Sequence, residues 1–274
     1  MSMLLSGKRG FVVGVSNARS IGWAVAKSWA EHGAELIIGV ESSRFVDKVR
    51  KLVETELSES RVQVVECNLD DDKSLEALGP EIQHLWPEES LDMACHAVAF
   101  APKTALHNRF VKLSREDFAR TMQTSVYSFI GLARTLEPLM ARPNNQPSAS
   151  LMTLTFDGSQ RAVPGYGIMG PAKGALESTC KYLAADLGVQ SNIRVNAISA
   201  GPLNTLAARG LPRFHDLKDR ASSRQTLPQD LTSDDVGQLA AFLASDMAAR
   251  ISGQTLFVDG GASSQAFSND PENP

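Results

Sequence analysis

The sequence predicts a single α/β domain, a doubly wound parallel sheet of about seven strands with helices on both faces. At 274 residues, 43% of them hydrophobic, the chain can bury the core of one large domain of this kind. Helical patterns alternate with short runs of apolar and β-branched residues, which is typical of a parallel sheet covered on both faces. The strand-like runs are residues 11–13, 36–38, 62–65, 93–98, 151–154, 193–198 and 255–258.

Helix signals appear between these runs. Ile21, Val25 and Trp29 recur at helical spacing after the first run. Segments 114–117 and 232–235 have the Ser/Thr-x-x-acid form of a capping box, and each precedes a helical pattern. We expect one domain over residues 1–262, followed by a polar tail over 263–274 that either frays or contacts a neighbouring subunit.

Composition argues for small-molecule chemistry. The net charge of −4 disfavours nucleic acid and anionic lipid as partners, because both are bound by clustered Lys and Arg. Cys67, Cys95 and Cys180 lack the spacing of a disulfide framework or a zinc site, so we expect buried thiols and no metal. Without a signal-like segment or an apolar run of about 20 residues, the sequence predicts a cytoplasmic protein that does not enter a membrane.

A glycine-containing loop follows the first strand and leads into a helix. Residues 14–22 read Gly-Val-Ser-Asn-Ala-Arg-Ser-Ile-Gly. Glycine lets a backbone approach phosphate closely, and the free amides of a helix start attract negative charge. The usual Gly-x-Gly-x-x-Gly spacing is absent, since Ser20 stands where a middle glycine is expected. Both a pyrophosphate site at Gly14 and an ordinary glycine turn therefore remain open.

Glu41 follows the second strand, where dinucleotide sites place the acid that binds the adenosine ribose. A carboxylate there would repel a 2′-phosphate, so NADH is expected as the cofactor in preference to NADPH. Arg44, three residues later, offers the opposite interpretation because a guanidinium binds phosphate well. A solvated loop acid is the third possibility.

Tyr166 and Lys173 are the candidate catalytic pair. On a helix, positions seven apart return to nearly the same face, so the two side chains would share one wall. A phenol is a poor proton donor at neutral pH, and a neighbouring ammonium favours its ionisation. The alternative is a half-buried Tyr and a surface Lys on an amphipathic helix.

Longer segments carry a resemblance to a known family. Six residues separate Tyr166 from Lys173, and Met169 lies between them; in the wider superfamily the lysine takes the position that Gly170 holds here. With the segments given below, this pattern resembles the enoyl-acyl-carrier-protein reductase branch of the short-chain dehydrogenase/reductase superfamily. The similarity covers nearly the whole chain, with matching segments at residues 14–22, 96–102, 194–208 and 252–261.

The resemblance implies a Rossmann-type homotetramer that uses NADH to reduce a trans-2-enoyl thioester, carried by acyl carrier protein or coenzyme A. It implies that Tyr166 hydrogen-bonds the thioester oxygen and that Lys173 holds the nicotinamide ribose. It also implies a substrate lid over residues 206–228. Cofactor contacts are implied for Gly14, Ser20, Ile21, Glu41, Asn68, Leu69, Ala97, Lys173, Ile198 and Thr205, and substrate contacts for Phe100, Phe156, Tyr166, Met169 and Ala207.

Three residues depart from the family pattern. Phe156 stands where many members carry a second tyrosine, which predicts a more apolar pocket and a long or unusual substrate. Ala99 replaces a common glycine, and its methyl group is expected to narrow the nicotinamide site. Pro171 is expected to bend the helix between Tyr166 and Lys173.

Several weaker features complete the sequence-based expectations. His96 and Thr153 lie in strand patterns and are expected to be structural. Basic residues of the lid are candidates for docking an acidic carrier protein, or for simple solvation. Two competing functions remain: reduction of a 3-oxoacyl or other carbonyl group by the same machinery, and a non-catalytic dinucleotide-binding regulator.

Overall fold

The computed structural model describes residues 3–57, 61–87 and 90–268. Within these ranges, seven parallel strands form one sheet in the order β3-β2-β1-β4-β5-β6-β7. The strands are β1 Arg9–Val13, β2 Glu35–Val40, β3 Val62–Glu66, β4 Met93–His96, β5 Ala149–Thr155, β6 Ile193–Ala200 and β7 Thr255–Val258. Each contains or overlaps one predicted strand run, so the predicted fold class is confirmed.

Helices cover both faces of the sheet. On one face lie α1 Ile21–Glu31, α2 Ser43–Glu56 and α9 Ser233–Ala244, and on the other lie α3 Asp72–Leu85, α6 Ser128–Met140 and α7 Met169–Ser191. Strand residues alternate between the two cores, as the pleat requires: Val12 packs under the first face, and Phe11 and Val13 under the second. The shorter helices are α4 Lys103–His107, α5 Arg115–Met122 and α8 Phe214–Ser222.

Both predicted capping signals lie at helix starts. Ser114 accepts a hydrogen bond from the Asp117 amide at 3.0 Å before α5, and Asp235 accepts one from the Thr232 amide at 2.7 Å before α9. The helical pattern that follows Ser114 is interrupted, because residues Gln123–Tyr127 form a π-helical turn between α5 and α6. Sequence periodicity did not reveal this wider turn.

The π-helical turn is fixed by side-chain hydrogen bonds to the region beyond β4 and to the loop after β3. Ser125 Oγ accepts from the Phe100 amide at 3.0 Å and donates to the Phe100 carbonyl at 2.9 Å. Thr124 donates to the Asp70 carboxylate at 2.8 Å. These bonds hold two loops that follow strand ends.

The chain order reverses between β1 and β4, which are neighbours in the sheet although two strands separate them in sequence. In open α/β sheets, a crevice for ligands forms beyond the carboxyl ends of the strands at such a switch point. The fold therefore places the loops after β1 and β4 on either side of a binding crevice.

Candidate active site

A cavity of about 700 Å³ lies at this carboxyl edge, a size typical of small-molecule sites. Segments that follow β1, β2, β3, β4, β5 and β6 line it. Fourteen of the fifteen residues predicted for the site lie on its wall: Gly14, Ser20, Ile21, Glu41, Asn68, Leu69, Ala97, Phe100, Phe156, Tyr166, Met169, Lys173, Thr205 and Ala207. Residues scattered over the whole sequence are thus brought together.

Ile198 is the exception. Its side chain is completely buried in the core under the first face, where it lies beside Leu256 of β7. The end of the same strand reaches the cavity instead, since Ala200 and Gly201 line it. A side-chain contact between Ile198 and the cofactor is therefore not supported by the structure.

The loop after β1 forms one end of the cavity. Gly14 has φ +101°, and a Cβ atom there would lie 2.3 Å from the Ala97 carbonyl oxygen, so only glycine fits between the two loops. Ser20 precedes α1 without capping it, because its hydroxyl donates to the Asn17 carbonyl at 2.7 Å. No acidic residue lies in the first turn of α1, so its amides and its dipole are open to an anion.

Glu41 and Arg44 are placed differently. The carboxylate of Glu41 lines the cavity, together with Phe45. Arg44 is exposed and does not line the cavity, and its guanidinium lies 4.5 Å from the centre of the Phe45 ring. Of these two residues, only the acid lines the cavity.

Tyr166 lies in a tight turn before α7 and not on the helix itself. Gly165 and Gly167, with φ +85° and +51°, allow the turn. The ring is 8% exposed, and a Cβ atom on Gly158 would meet it at 2.6 Å. The helical argument that placed Tyr166 and Lys173 on one face was therefore wrong in detail, although both side chains do line the same cavity.

Burial raises the pKa of the Tyr166 phenol above its ordinary value of 10. The expected lowering by Lys173 is not seen, because loss of hydration dominates in this site. The phenol is therefore a neutral hydrogen-bond donor at physiological pH.

Lys173 lies in the second turn of α7, and its Nζ donates to the Leu154 carbonyl at 2.7 Å. Burial lowers the pKa of Lys173 to about 8, and the nearby Glu177 opposes that shift. The side chain is only 6% exposed, yet it reaches the cavity wall. At neutral pH it supplies a buried positive charge to the cavity that Tyr166 also lines.

Pro171 does not bend the catalytic segment as expected. Helix α7 begins at Met169, so Pro171 lies in its first turn. Amides of the first turn have no intrahelical acceptor, and proline is well tolerated there. Ala99, another of the three departures, lines the cavity.

His96 and Thr153 are structural in this fold. The imidazole is completely buried, with Nδ1 3.0 Å from Thr153 Oγ1 and Nε2 2.8 Å from Ser128 Oγ. Burial and the charge of Lys173 lower the pKa of His96 to about 3, so the ring is neutral. Neither residue lines the cavity.

Sequence reasoning missed a buried acid on α7, one helical turn from Lys173, and the two hydroxyl groups that bind it. Glu177 is 9% exposed and accepts hydrogen bonds from Thr155 Oγ1 at 2.7 Å and from Ser159 Oγ at 2.6 Å. The available signal was the spacing of four between Lys173 and Glu177, which places them one helical turn apart.

The predicted lid segment covers one side of the cavity. It contains α8, from which Phe214 and Leu217 reach the wall, and the preceding residues Leu206 and Leu211 also line it. Of the predicted tail, residues 263–268 are described, and the Ser263 carbonyl accepts a hydrogen bond from Arg161 at 2.7 Å. Residues 269–274 lie outside the described part of the chain.

Comparison with known proteins decides the family. A family model described as enoyl-(acyl carrier protein) reductase matches residues 14–263. The chain belongs to the enoyl-acyl-carrier-protein reductase family. Among its relatives, the NADH enoyl-acyl-carrier-protein reductase of Synechocystis sp. is 39% identical over 94% of this chain and 96% of the relative.

Solved structures of the enoyl-acyl-carrier-protein reductase family share the fold. The NADH enzyme of Aquifex aeolicus superposes with a TM-score of 0.88 at 38% identity, covering 96% of this chain and 99% of the other. A structure of the Anaplasma phagocytophilum reductase in complex with NAD gives 0.90 at 37% identity, covering 98% and 99%. The predicted resemblance and the Rossmann-type fold are thereby confirmed.

Other expectations from composition concern metals, membranes and thiols. Among the described residues, no group of three or more His, Cys, Asp or Glu side chains is arranged to hold a metal ion. No helix in the described ranges has the length and apolar character needed to cross a bilayer. All three cysteines are buried and unpaired, as predicted.

Proposed function

We propose that this member of the enoyl-acyl-carrier-protein reductase family uses NADH to reduce the trans-2 double bond of an enoyl thioester to the saturated thioester. The reaction belongs to fatty-acid or specialised acyl-chain biosynthesis. One observation carries the proposal: the Tyr166 phenol and the Lys173 ammonium line the same cavity as the glycine loop after β1. The relatives named above support it, since both the Synechocystis and the Aquifex proteins are NADH enoyl-acyl-carrier-protein reductases.

The residues present fit a nicotinamide dinucleotide. The absence of side-chain volume at Gly14 and the uncapped start of α1 suit a pyrophosphate, and Glu41 suits the adenosine ribose hydroxyls. Asn68, Leu69, Ala97 and Thr205 line the groove between these points. Because a carboxylate repels a 2′-phosphate, we assign NADH in preference to NADPH. When bound, the cofactor supplies the hydride.

Tyr166 stabilises the charge that the reaction creates on the substrate. Addition of hydride to the β-carbon of the enoyl group would shift the electron pair of the double bond and give an enolate on the thioester oxygen. The neutral phenol of Tyr166 donates a hydrogen bond to that oxygen. Uptake of one proton from solvent at the α-carbon would then complete the saturated thioester.

Lys173 serves the same site through its charge. Its Nζ donates one hydrogen bond to the Leu154 carbonyl. Two N–H donors remain for acceptors in the cavity, such as ribose hydroxyls. The ammonium also lowers the energy of the nearby enolate, because positive charge in a site that excludes water acts strongly.

The acyl chain is assigned to the apolar part of the cavity. Phe100, Phe156, Met169 and Ala207 line this part, and residues 206–228 act as the lid over it. A lid that excludes water protects hydride transfer and strengthens the electrostatic contacts inside. We infer that the thioester is carried by acyl carrier protein or coenzyme A.

We infer a homotetramer in the cytoplasm. Large apolar side chains remain exposed on the outer helices of the single chain, among them Tyr182 at 78% and Val189 at 75% on α7. Such exposure is typical of surfaces that pack against another subunit. The three reduced thiols suit a reducing compartment. Light scattering tests the oligomer, with a mass four times that of one chain as the expected result.

Loss of NADH absorbance with two substrates tests the activity. We expect turnover of crotonyl thioesters and none of acetoacetyl thioesters; activity on the ketone alone would assign a carbonyl reductase. Tyr166→Phe removes the donor and is expected to lower kcat by about 100-fold while NADH still binds. No turnover of either thioester by a wild-type protein that binds NADH would support the non-catalytic regulator.

A further inference from the structure

Glu177 is a buried acid that the proposed reaction does not use directly. It lies on α7 one turn after Lys173, with 9% of its surface exposed, and it does not line the cavity. A buried carboxylate is costly unless it is hydrogen-bonded and paired with a positive charge. Its position in the core therefore needs a reason.

Two hydroxyl groups orient the Glu177 carboxylate. Thr155 Oγ1 donates at 2.7 Å from the end of β5, and Ser159 Oγ donates at 2.6 Å from the short turn that follows. Both bonds reach the same oxygen atom, Oε1. The adjacent residue on β5, Leu154, accepts the hydrogen bond from Lys173 Nζ. The end of β5 thus binds both the Glu177 carboxylate and the Lys173 ammonium.

The other ionisable groups near Lys173 do not offset its positive charge. His96 on β4 and Tyr166 in the turn are neutral, and Cys180 on α7 is a thiol whose pKa burial raises to about 12. Asp157, in the turn after β5, is 3.2 Å from Arg161. The remaining charged groups lie on the cavity wall: Asp70, paired with Arg120 at 3.0 Å, Glu41 and Lys103.

We propose that Glu177 is a positioning residue for Lys173, because its oriented carboxylate, one helical turn away on α7, keeps the buried ammonium charged. The relevance of this role to catalysis rests on the proposed function. Electrostatics agree with the geometry, since Glu177 raises the pKa of Lys173 against the effect of burial. The Thr155 and Ser159 hydroxyls contribute indirectly, because they fix the orientation of the Glu177 carboxylate.

The charge state of Lys173 tests the proposal without cofactor or substrate. The protein is treated with acetic anhydride across a pH series, and acetylation of Lys173 is measured by mass spectrometry, since only the neutral amine reacts. We expect Glu177→Gln to lower the pH of half-maximal labelling by about one pH unit. Glu137→Gln is the matched control, because Glu137 also accepts a serine hydrogen bond, from Ser191 at the far end of α7.

An unchanged labelling midpoint in folded Glu177→Gln would overturn the proposal, and circular dichroism establishes folding. If that variant does not fold, Thr155→Val replaces it: we expect a smaller shift in the same direction, and Thr155→Ser should restore the wild-type midpoint. A wild-type midpoint in Thr155→Val also counts against the proposal.

The role of Glu177 and the proposed reductase function can be refuted independently. Labelling of Lys173 does not depend on turnover, so a normal shift in a protein that cannot reduce crotonyl thioesters would contradict only the proposed function. In an active enzyme, Glu177→Gln should also lose kcat at a lower pH than the wild type, whereas a purely structural change would lower kcat equally at every pH.

Discussion

The ring of Tyr166 packs against the ring of Phe156, with centroids 4.8 Å apart and planes inclined at 59°. This tilted arrangement is favourable for two aromatic rings and contributes about 1 kcal/mol beyond the burial of surface. Phe156 therefore does more than make the pocket apolar, because it also packs against a tyrosine that lines the cavity.

Phe156→Ala should lower kcat by about tenfold, since a loss of about 1.4 kcal/mol in positioning corresponds to that factor. Phe156→Leu, which keeps most of the volume but not the ring, should fall in between. Steady-state kinetics with crotonyl thioester measure the effect, and thermal denaturation checks the fold. A wild-type kcat in Phe156→Ala would show that Tyr166 is held by other contacts.

Gly14→Ala should destabilise the protein by about 2–3 kcal/mol and weaken NADH binding, because the methyl group would meet the Ala97 carbonyl and the backbone has positive φ. Urea denaturation and fluorescence titration of NADH measure the two effects. Gly79→Ala is the control: it lies within α3, where the nearest contact is 3.9 Å away, and should raise stability slightly. Equal stabilities of the two variants would contradict the tight approach of the loops.

Stability should decrease in acid because of His96. The unfolded chain binds a proton on this ring below about pH 6.5, whereas the folded protein does so only near pH 3. Acid therefore favours unfolding between these values, by up to about 1.4 kcal/mol per pH unit from this group. Urea denaturation from pH 7.5 to 4.5 should show a weaker dependence in His96→Gln than in the wild type. Identical slopes would mean that the ring is protonated in the folded state.

Glu41 should control the choice between the two nicotinamide cofactors. Glu41→Ser removes the charge that repels a 2′-phosphate and should raise kcat/KM for NADPH relative to NADH by about tenfold. Glu76→Ser, an exposed substitution on α3, should leave the ratio unchanged. If the wild type already prefers NADPH, Arg44 and not Glu41 recognises the ribose.

Much of the fold was predictable from sequence because parallel strands that are buried on both faces leave continuous apolar runs, as in β1 and β2. The cavity wall was predictable because such strands end at one edge of the sheet. Contacts that depend on local backbone geometry could not be predicted from the sequence. Tyr166 precedes α7 because Gly165 and Gly167 form a turn, and Pro171 falls in the first turn because the helix begins later than the sequence pattern indicated.

The roles of Ile198 and Glu177 also required the structure. Both residues lie next to residues on the cavity wall. The pleat of β6 turns Ile198 into the core. Hydrogen bonds from Thr155 and Ser159 hold the Glu177 carboxylate away from the cavity, one helical turn from Lys173. Distances between residues from β5, α7 and the turn between them cannot be read from spacing along the chain.

The π-helical turn at residues 123–127 makes the length of this part of the chain matter more than its composition. Thr124 and Ser125, with Ser128 just after the turn, reach three separate partners: Asp70, Phe100 and His96. Removing one residue between 122 and 128 would let this wide turn close as an ordinary α-helical turn, and the three side chains could then no longer all meet their partners. Conservative replacements should thus be tolerated within this turn far better than a one-residue deletion.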